Sequence, residues 1–364
     1  VTKILTFKTG DLAAAVSRAA RIAPNKGAAF DRAAGMMLET DDDGDLIVRS
    51  TNVEVSYRET VTPITAPTGA VRWRVPAALV DGVLSSMDPA TEVTLTEDGP
   101  AVKMKAGRKK ALLRRMDEGL FPAWNDFDGT TMGEVPDLAK RLKQASWACD
   151  ASAIPFAGVH ITGKSIIATD RYKLVNVPCE VPVDNPITVP MSLVAPLISD
   201  TALMRIRSEE RRLLLMPNER TKITTVIFCT KYPTEDQLKG VMREDFSITT
   251  KVDRLALLEA LSDMAVLVKT ERYPTTKFTF SRKSLHLYMN VKETGEMEDF
   301  LEIEAELPDN MESFEIYFTP SFFIQGLAAT SADVVTLKVG PEQTKTALIE
   351  GDHEYRAWIM PRKV

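Results

Sequence analysis

Cysteine and histidine are scarce in this chain, at three residues each in 364. Cys149, Cys179 and Cys229 stand far apart with no C-x-x-C pair. That excludes a disulfide framework and a thiolate metal site, and it reads as buried thiols in a reducing cytoplasm. His160, His286 and His353 are isolated, without H-E-x-x-H or any other zinc spacing. His160 and His286 fall in strand-like runs, where hydrogen-bonded side chains are expected. No apolar run approaches the roughly 18 residues that span a bilayer, so no membrane partner is expected. The opening Val1–Phe7 alternates like a strand and lacks the apolar core of an export signal.

Positive charge is not in excess either. The net charge of −6 divides as +1 over residues 1–125, −1 over 126–245 and −6 over 246–364. A chain that grips nucleic acid by itself usually carries a basic surplus. Any nucleic-acid role here must therefore rest on local charge or on topology. Phosphate loops of the form G-x-x-x-x-G-K-[ST], a G-x-G-x-x-G after a strand, and a G-x-S-x-G elbow are all missing. The run Asp41–Asp45 lacks the alternating ligands and final Glu of a calcium loop and reads as a hairpin turn. These absences predict no catalytic residue, no metal, no cofactor and no enzyme.

What is present is repetition. Leu138, Leu142, Ala145 and Cys149 make one apolar helix stripe, with Asp137 placed to cap it and Pro136 limiting upstream extension. Two strand-like runs follow, Phe156–Ile161 and Ser165–Thr169, around a Gly163-Lys164 turn. The same grammar occurs before and after. Helices open near Leu12, Leu138 and Leu255; second helices follow Pro76, Pro190 (over Leu193–Ile198) and Pro320. Apolar-proline pairs close each section at Phe121-Pro122, Tyr232-Pro233 and Met360-Pro361. Three series in one order, with a period of about 120 residues, predict three α+β domains at 1–125, 126–245 and 246–364. Such a serial array leaves open sheet edges, and closure with a second chain is one remedy.

Three polar or apolar features stand outside this scaffold: the charged Ala168–Leu174 stretch, Phe322-Phe323 at a helix start, and the apolar tail Trp358–Val364. Ala168-Thr-Asp-Arg-Tyr-Lys-Leu174 resembles the ATDGHRLA motif of the bacterial DNA polymerase III beta subunit, the DNA sliding clamp. Phe121-Pro122 and Tyr232-Pro233 resemble its FP landmarks, and the tail resembles its ending VMPMRL. The form suits a divergent, phage-encoded or otherwise remote member. The resemblance implies the DNA clamp fold: three tandem helix-backed antiparallel-sheet domains closing as a ring dimer round double-stranded DNA, in the cytoplasm at the nucleoid. It also implies a clamp loader, and a groove that tethers the replicative DNA polymerase and other proteins carrying short clamp-binding peptides.

Carried over by position, the groove residues are Phe156, Thr169, Arg171, Tyr172, Lys173 and Leu174, with Pro233, Gln237 and Leu238. Thr319, Phe322, Trp358, Met360, Pro361 and Arg362 complete it, and Phe322, Trp358 and Met360 are expected to bear most of the peptide contact. Arg171-Tyr172 replaces the family's Gly-His, and Arg362-Lys363-Val364 replaces Met-Arg-Leu, which predicts an altered partner set. Candidates for a DNA-facing channel are Arg18, Arg21, Lys26, Lys140, Arg141, Lys143, Arg254 and Lys269. A repeat-built protein-interaction scaffold that never encircles DNA shares every feature except the hole. A hydrolase with a scattered active site is the other rival, and it needs a deep pocket holding a nucleophile beside its base.

Overall fold

The computed structural model describes residues 3–24, 31–65, 67–119, 121–125, 127, 129–197, 201–268, 274–292 and 294–363. The helical period at Leu12, Ala15, Val16 and Ala19 folds as α1 (Thr9–Ala20), which follows directly from β1 (Ile4–Lys8) and buries all four side chains. The chain continues through β2 (Met36–Thr40), β3 (Leu46–Thr51), β4 (Val55–Val61) and β5 (Arg72–Val75) to α2 (Ala77–Ser85). Then come β6 (Glu92–Asp98), β7 (Ala101–Ala106) and β8 (Lys109–Arg114).

The middle stretch holds β9 (Thr130–Pro136), α3 (Leu138–Ser146), β10 (Gly158–Ile161), β11 (Ser165–Thr169), β12 (Lys173–Pro178) and β13 (Ile187–Pro190). It ends with β14 (Leu203–Glu209), β15 (Arg212–Asn218), β16 (Thr221–Val226) and the single turn α4 (Glu235–Leu238). The last stretch contains β17 (Ile248–Asp253), α5 (Arg254–Met264), β18 (Thr276–Ser281), β19 (Ser284–Val291), β20 (Gly295–Glu302) and β21 (Glu304–Glu306). It closes with β22 (Ser313–Phe318), α6 (Pro320–Ala328), β23 (Val334–Val339), β24 (Ala347–Glu350) and β25 (Arg356–Ile359).

Local chemistry accounts for most element starts. Asp253 caps α5 by accepting the Ala256 N–H at 2.8 Å, and Pro320 occupies the first turn of α6, where no N–H is needed. Asp137 does something other than the expected cap: it stands at φ +53° and gives its own N–H to the Ala202 carbonyl at 3.1 Å. The helix expected over Leu193–Ile198 is a 3-10 turn at Met191–Val194, and Ile198 lies outside the described residues. Pro196 lacks the N–H that an α-helix continuing through it would need. The run read as one strand over Phe300–Leu307 is two. β20 pairs with β19, and after buried Ile303 the chain crosses to another sheet, where β21 pairs with β17.

Two compact units result, Val1–Ala139 with Val189–Cys229, and Lys140–Thr188 with Thr230–Val364. Each carries one long antiparallel sheet and one of four strands. The first unit has the orders β5-β2-β3-β4-β16-β15-β14-β9 and β1-β6-β7-β8. The second has β13-β10-β11-β12-β25-β24-β23-β17-β21 and β20-β19-β18-β22. The sequence repeat and the compact units differ because each long sheet is shared between consecutive repeats. β4 pairs regularly with β16 (Glu59 opposite Thr221), and β12 with β25 (Leu174 opposite Trp358). In the first unit α1 packs on α2 and against β3 and β4 of the long sheet, while α2 also meets β8 of the four-stranded sheet. In the second, α5 and α6 pack together, and Phe323 joins Phe278 and Phe318 with ring centroids 4.8 Å away.

The landmark Phe121-Pro122 has a physical role in the first unit. Phe121 lies between two nearly buried guanidiniums, Arg49 at 5.8 Å and Arg74 at 5.5 Å. Arg74 also donates to the carbonyls of Ala34 and Asp117 at 2.9 and 2.7 Å. The stretch after β8 is thereby held across the face of the long sheet opposite α1.

Candidate functional site

The Ala168–Leu174 motif is a tight hairpin joining β11 to β12. Thr169 is buried and donates its hydroxyl to the Lys173 carbonyl at 2.7 Å. Asp170 Oδ1 accepts the N–H groups of Tyr172 and Lys173, both at 2.9 Å, and Oδ2 pairs with Lys173 Nζ. Those bonds force the residue between into left-handed backbone, and Arg171 sits at φ +79°. A glycine adopts that conformation at no steric cost, which explains the glycine in the motif this stretch resembles. Lys173 is 6% exposed and already neutralised, with Nζ over the Phe322 ring at 5.0 Å. The groups left on the outside of the turn are Arg171, which covers Phe156 at 5.6 Å, and Tyr172, 58% exposed.

Beneath this turn lies an apolar cluster built from distant parts of the chain. Ile167, Leu174, Tyr232, Leu238, Leu348 and Trp358 form its buried part, with Phe156, Val241, Met242 and Phe246 half-buried against it. Trp358 is 1% exposed and gives its indole N–H to the Arg243 carbonyl at 3.0 Å. It is therefore a fixed floor rather than the accessible anchor expected from sequence. Tyr232 stacks on His160 with centroids 4.4 Å apart and meets Phe156 edge-on at 6.2 Å. The tail is tied alongside: Met360 N–H donates to the Tyr172 carbonyl at 2.8 Å, and Arg362 N–H to the Tyr317 carbonyl at 2.7 Å.

Phe156, Leu174, Leu238, Phe322, Trp358 and Met360 are thus brought close to one another or to the motif turn. Gln237 has a different local use, because its Oε1 accepts the Thr234 N–H at 2.9 Å in a capping box that starts α4. Thr319 precedes α6 and accepts the Phe322 N–H through its carbonyl at 3.1 Å. Pro233 and Pro361 are half-buried. Ile167, Tyr232, His160 and Leu348 belong to the cluster or its edge and were not among the expected groove residues. Tyr232 had a visible signal in its place before Pro233; Leu348 had none, since only the β24–β25 pairing puts it opposite Trp358.

Burial and local hydrogen bonds set the electrostatics here. Burial pushes the Cys149 thiol up to about 12 despite nearby Lys173, so it stays protonated and unreactive. Burial also holds His160 near 4, a neutral ring whose Nδ1 lies 2.9 Å from the Thr188 hydroxyl. The Ser152 hydroxyl and N–H hold the Asp150 carboxyl below the usual range, and Arg171 adds to that effect. Among the described residues no group of three or more His, Cys, Asp or Glu is placed to hold a metal ion.

Residues proposed for a DNA-facing channel separate into two kinds. Arg18 forks onto Glu59 at 2.6 and 3.0 Å and also donates to the Tyr57 hydroxyl at 2.9 Å, so its charge is spent inside the first unit. Arg254 donates to the carbonyls of Ala332 and Leu327 at 2.6 and 3.5 Å, near the negative end of the α6 dipole. Arg21 is exposed, and Lys140, Arg141 and Lys143 are half-exposed on α3. Lys26 and Lys269 lie outside the described residues.

Residues 239–363 match the family model for the DNA polymerase III beta subunit, C-terminal domain. This chain is similar to that domain over its last third. Its fold is that of solved beta subunits over the full length. The Thermotoga maritima subunit superposes with a TM-score of 0.82 at 18% identity, covering 100% of both chains. A Pseudomonas aeruginosa sliding clamp bound to griselimycin gives 0.78 at 18% identity, again covering 100% of both. The Bacillus subtilis clamp gives 0.77 at 16%, covering 100% of this chain and 99% of that one. No curated protein matches the sequence.

Proposed function

We propose that this chain is a DNA sliding clamp of the beta family: three functional domains at 1–125, 126–245 and 246–364, two copies closed into a ring round duplex DNA. It performs no chemistry. It tethers the replicative polymerase, whose effective concentration at the primer end rises through peptide anchoring. The full-length likeness to solved clamps carries this reading, and the free sheet edges supply a means of closure. β8 ends one four-stranded sheet with Lys109, Lys110 and Arg114; β20 ends the other with Glu296, Glu298, Asp299 and Glu302. Each edge also exposes one large apolar side chain, Leu112 and Phe300, both 61% accessible. Basic edge meeting acidic edge between two copies would remove both liabilities at once.

The cluster under Arg171 and Tyr172 serves as the groove, with Phe322 and Met360 contacting the peptide over a Trp358 floor. Arg21, Lys140, Arg141 and Lys143 face the DNA, while Arg18 and Arg254 hold the scaffold. A clamp loader opens the ring, and the setting is the cytoplasm at the nucleoid. The test is retention: protein loaded on closed circular DNA stays through gel filtration and is released when the circle is cut. Loss at the same rate from circle and line, with the chain monomeric in native mass measurement, favours the interaction scaffold that encircles nothing.

A further inference from the structure

Strand alternation divides the long sheet of the first unit into two faces. Tyr57 and Glu59 on β4 reach Arg18 of α1, so their neighbours Ser56 and Arg58 lie on the opposite face. Register then places a row of bases across that face. Arg49 on β3 stands opposite Arg58 on β4, and Arg58 stands opposite Lys222 on β16. Like charges directly opposite in an antiparallel pair repel, with Cβ atoms about 5 Å apart. Glu39 neutralises Arg49 at 2.7 Å, but Arg58 and Lys222 form no ion pair among the described residues. Both are half-exposed. A fold that keeps two such cations side by side has a surface suited to an anion.

A pocket of about 160 Å³ lies beside them. Its wall includes Ser56 and Thr224, each two residues along its strand from Arg58 and Lys222, hence about 7 Å away. Trp124, Val53 and Val226 give it apolar surface. Arg212 completes it, committed to Glu209 through Nε and Nη2 at 3.0 and 2.6 Å, with Nη1 left to meet an acceptor. Glu54 also lines it and disfavours an anion inside the pocket itself. A flat group with hydrogen-bonding edges in the pocket, and its phosphate on the neighbouring cations, satisfies all of these features.

We propose that this sheet face binds single-stranded nucleic acid, with phosphates on Arg58 and Lys222 and one base against Trp124. Paired cations beside an aromatic platform are the elements by which strands are held without sequence preference. An acidic peptide would use the cations and leave the pocket idle. The inference goes beyond the clamp reading and uses neither the groove nor the ring.

Anisotropy of a labelled 16-nucleotide oligo-dT, titrated with the full chain at low salt, tests it. Saturable binding is expected, weakened at least tenfold in Arg58→Gln/Lys222→Gln, with the log K against log salt slope reduced by about 1.4. Trp124→Ala should weaken binding at least threefold, and Trp124→Phe, which keeps a ring, should restore most of it. Unaltered binding by the double variant, or no saturable binding by the parent chain, overturns the proposal. Displacement of the oligonucleotide by polyglutamate of equal charge at equal concentration also overturns it, in favour of an acidic peptide. The double variant should stay on closed circular duplex as the parent does, so failure here and failure of the clamp reading give different results.

Discussion

Arg171 lies over the Phe156 ring, 5.6 Å from its centroid, and reaches it from a left-handed backbone at φ +79°. The cation covers one aromatic wall of the proposed groove, which no glycine could do. A consensus bacterial clamp-binding peptide should therefore bind this chain at least tenfold more weakly than it binds the Bacillus subtilis clamp. Arg171→Gly should recover much of that difference in calorimetric titration. Its stability should change by less than about 1 kcal/mol, because relief of backbone strain offsets the lost ring contact. Affinity equal to that of the Bacillus subtilis clamp in the unaltered chain would remove the selectivity assigned to Arg171.

Trp358 is the largest fully enclosed side chain of the cluster and satisfies the Arg243 carbonyl. Trp358→Ala should cost about 3–5 kcal/mol in urea unfolding. Trp358→Phe should cost about 1–3 kcal/mol, since it leaves that carbonyl without its donor. Equal losses in both variants would show that packing alone matters at this position.

His160 provides a pH signature. Burial depresses its pKa to about 4 from an ordinary 6.5, so the unfolded chain takes the proton first. Its contribution to stability is complete above about pH 6.5 and is lost as pH falls toward 4. Unfolding midpoints measured between pH 7 and 4 should decline less steeply in His160→Gln. An unchanged slope would mean that the ring on Tyr232 is freely protonated in the folded state.

Arg18 and Arg21 separate scaffold from surface on one helix. Arg18 and Glu59 are each less than one-fifth exposed, so Arg18→Ala should destabilise the chain by on the order of 3 kcal/mol, leaving a buried carboxylate unpaired. Arg21→Glu should leave thermal stability nearly unchanged. Together with Lys140→Glu and Arg141→Glu, it should weaken sliding or loading on circular DNA. Loss of ring integrity in that triple variant would sink the assignment of these three side chains to the channel.

Charge reversal tests closure. Lys110→Glu/Arg114→Glu on β8 should weaken self-association by about 100-fold or more, since like charges brought together cost several kcal/mol. Mixing with Glu298→Lys/Glu302→Lys on β20 should restore a two-chain species at one edge. Sedimentation at rising salt should show the unaltered chain dissociating more readily. A parent chain that stays monomeric at high concentration contradicts the ring.

Periodicity and punctuation carried the scaffold. The stripe at Leu12, Val16 and Ala19, the starts after Pro76 and Pro320, and the Asp253 cap are local, and each folds where local chemistry puts it. Failures arose where long-range pairing decides. Nothing near Phe300 announces that Ile303 ends one sheet and Glu304 begins in another. Motif likeness pointed to residues of the proposed groove but not to the work each does in the fold. Lys173 and Trp358 read as binding groups, yet a buried charge needs its Asp170 and a buried indole N–H needs its carbonyl. Those partners are legible only once the turn is folded.

β25 sits between β12 and β24, so Leu174 and Leu348 meet through Trp358 and the second unit's long sheet is continuous only when that strand is in place. It is also the last in sequence of the described strands. A chain cut short before Arg356 would display two raw flanks, on β12 and on β24, beside the proposed groove. Loss of this one strand would thus turn a closed sheet interior into two open edges, each a template for unwanted pairing.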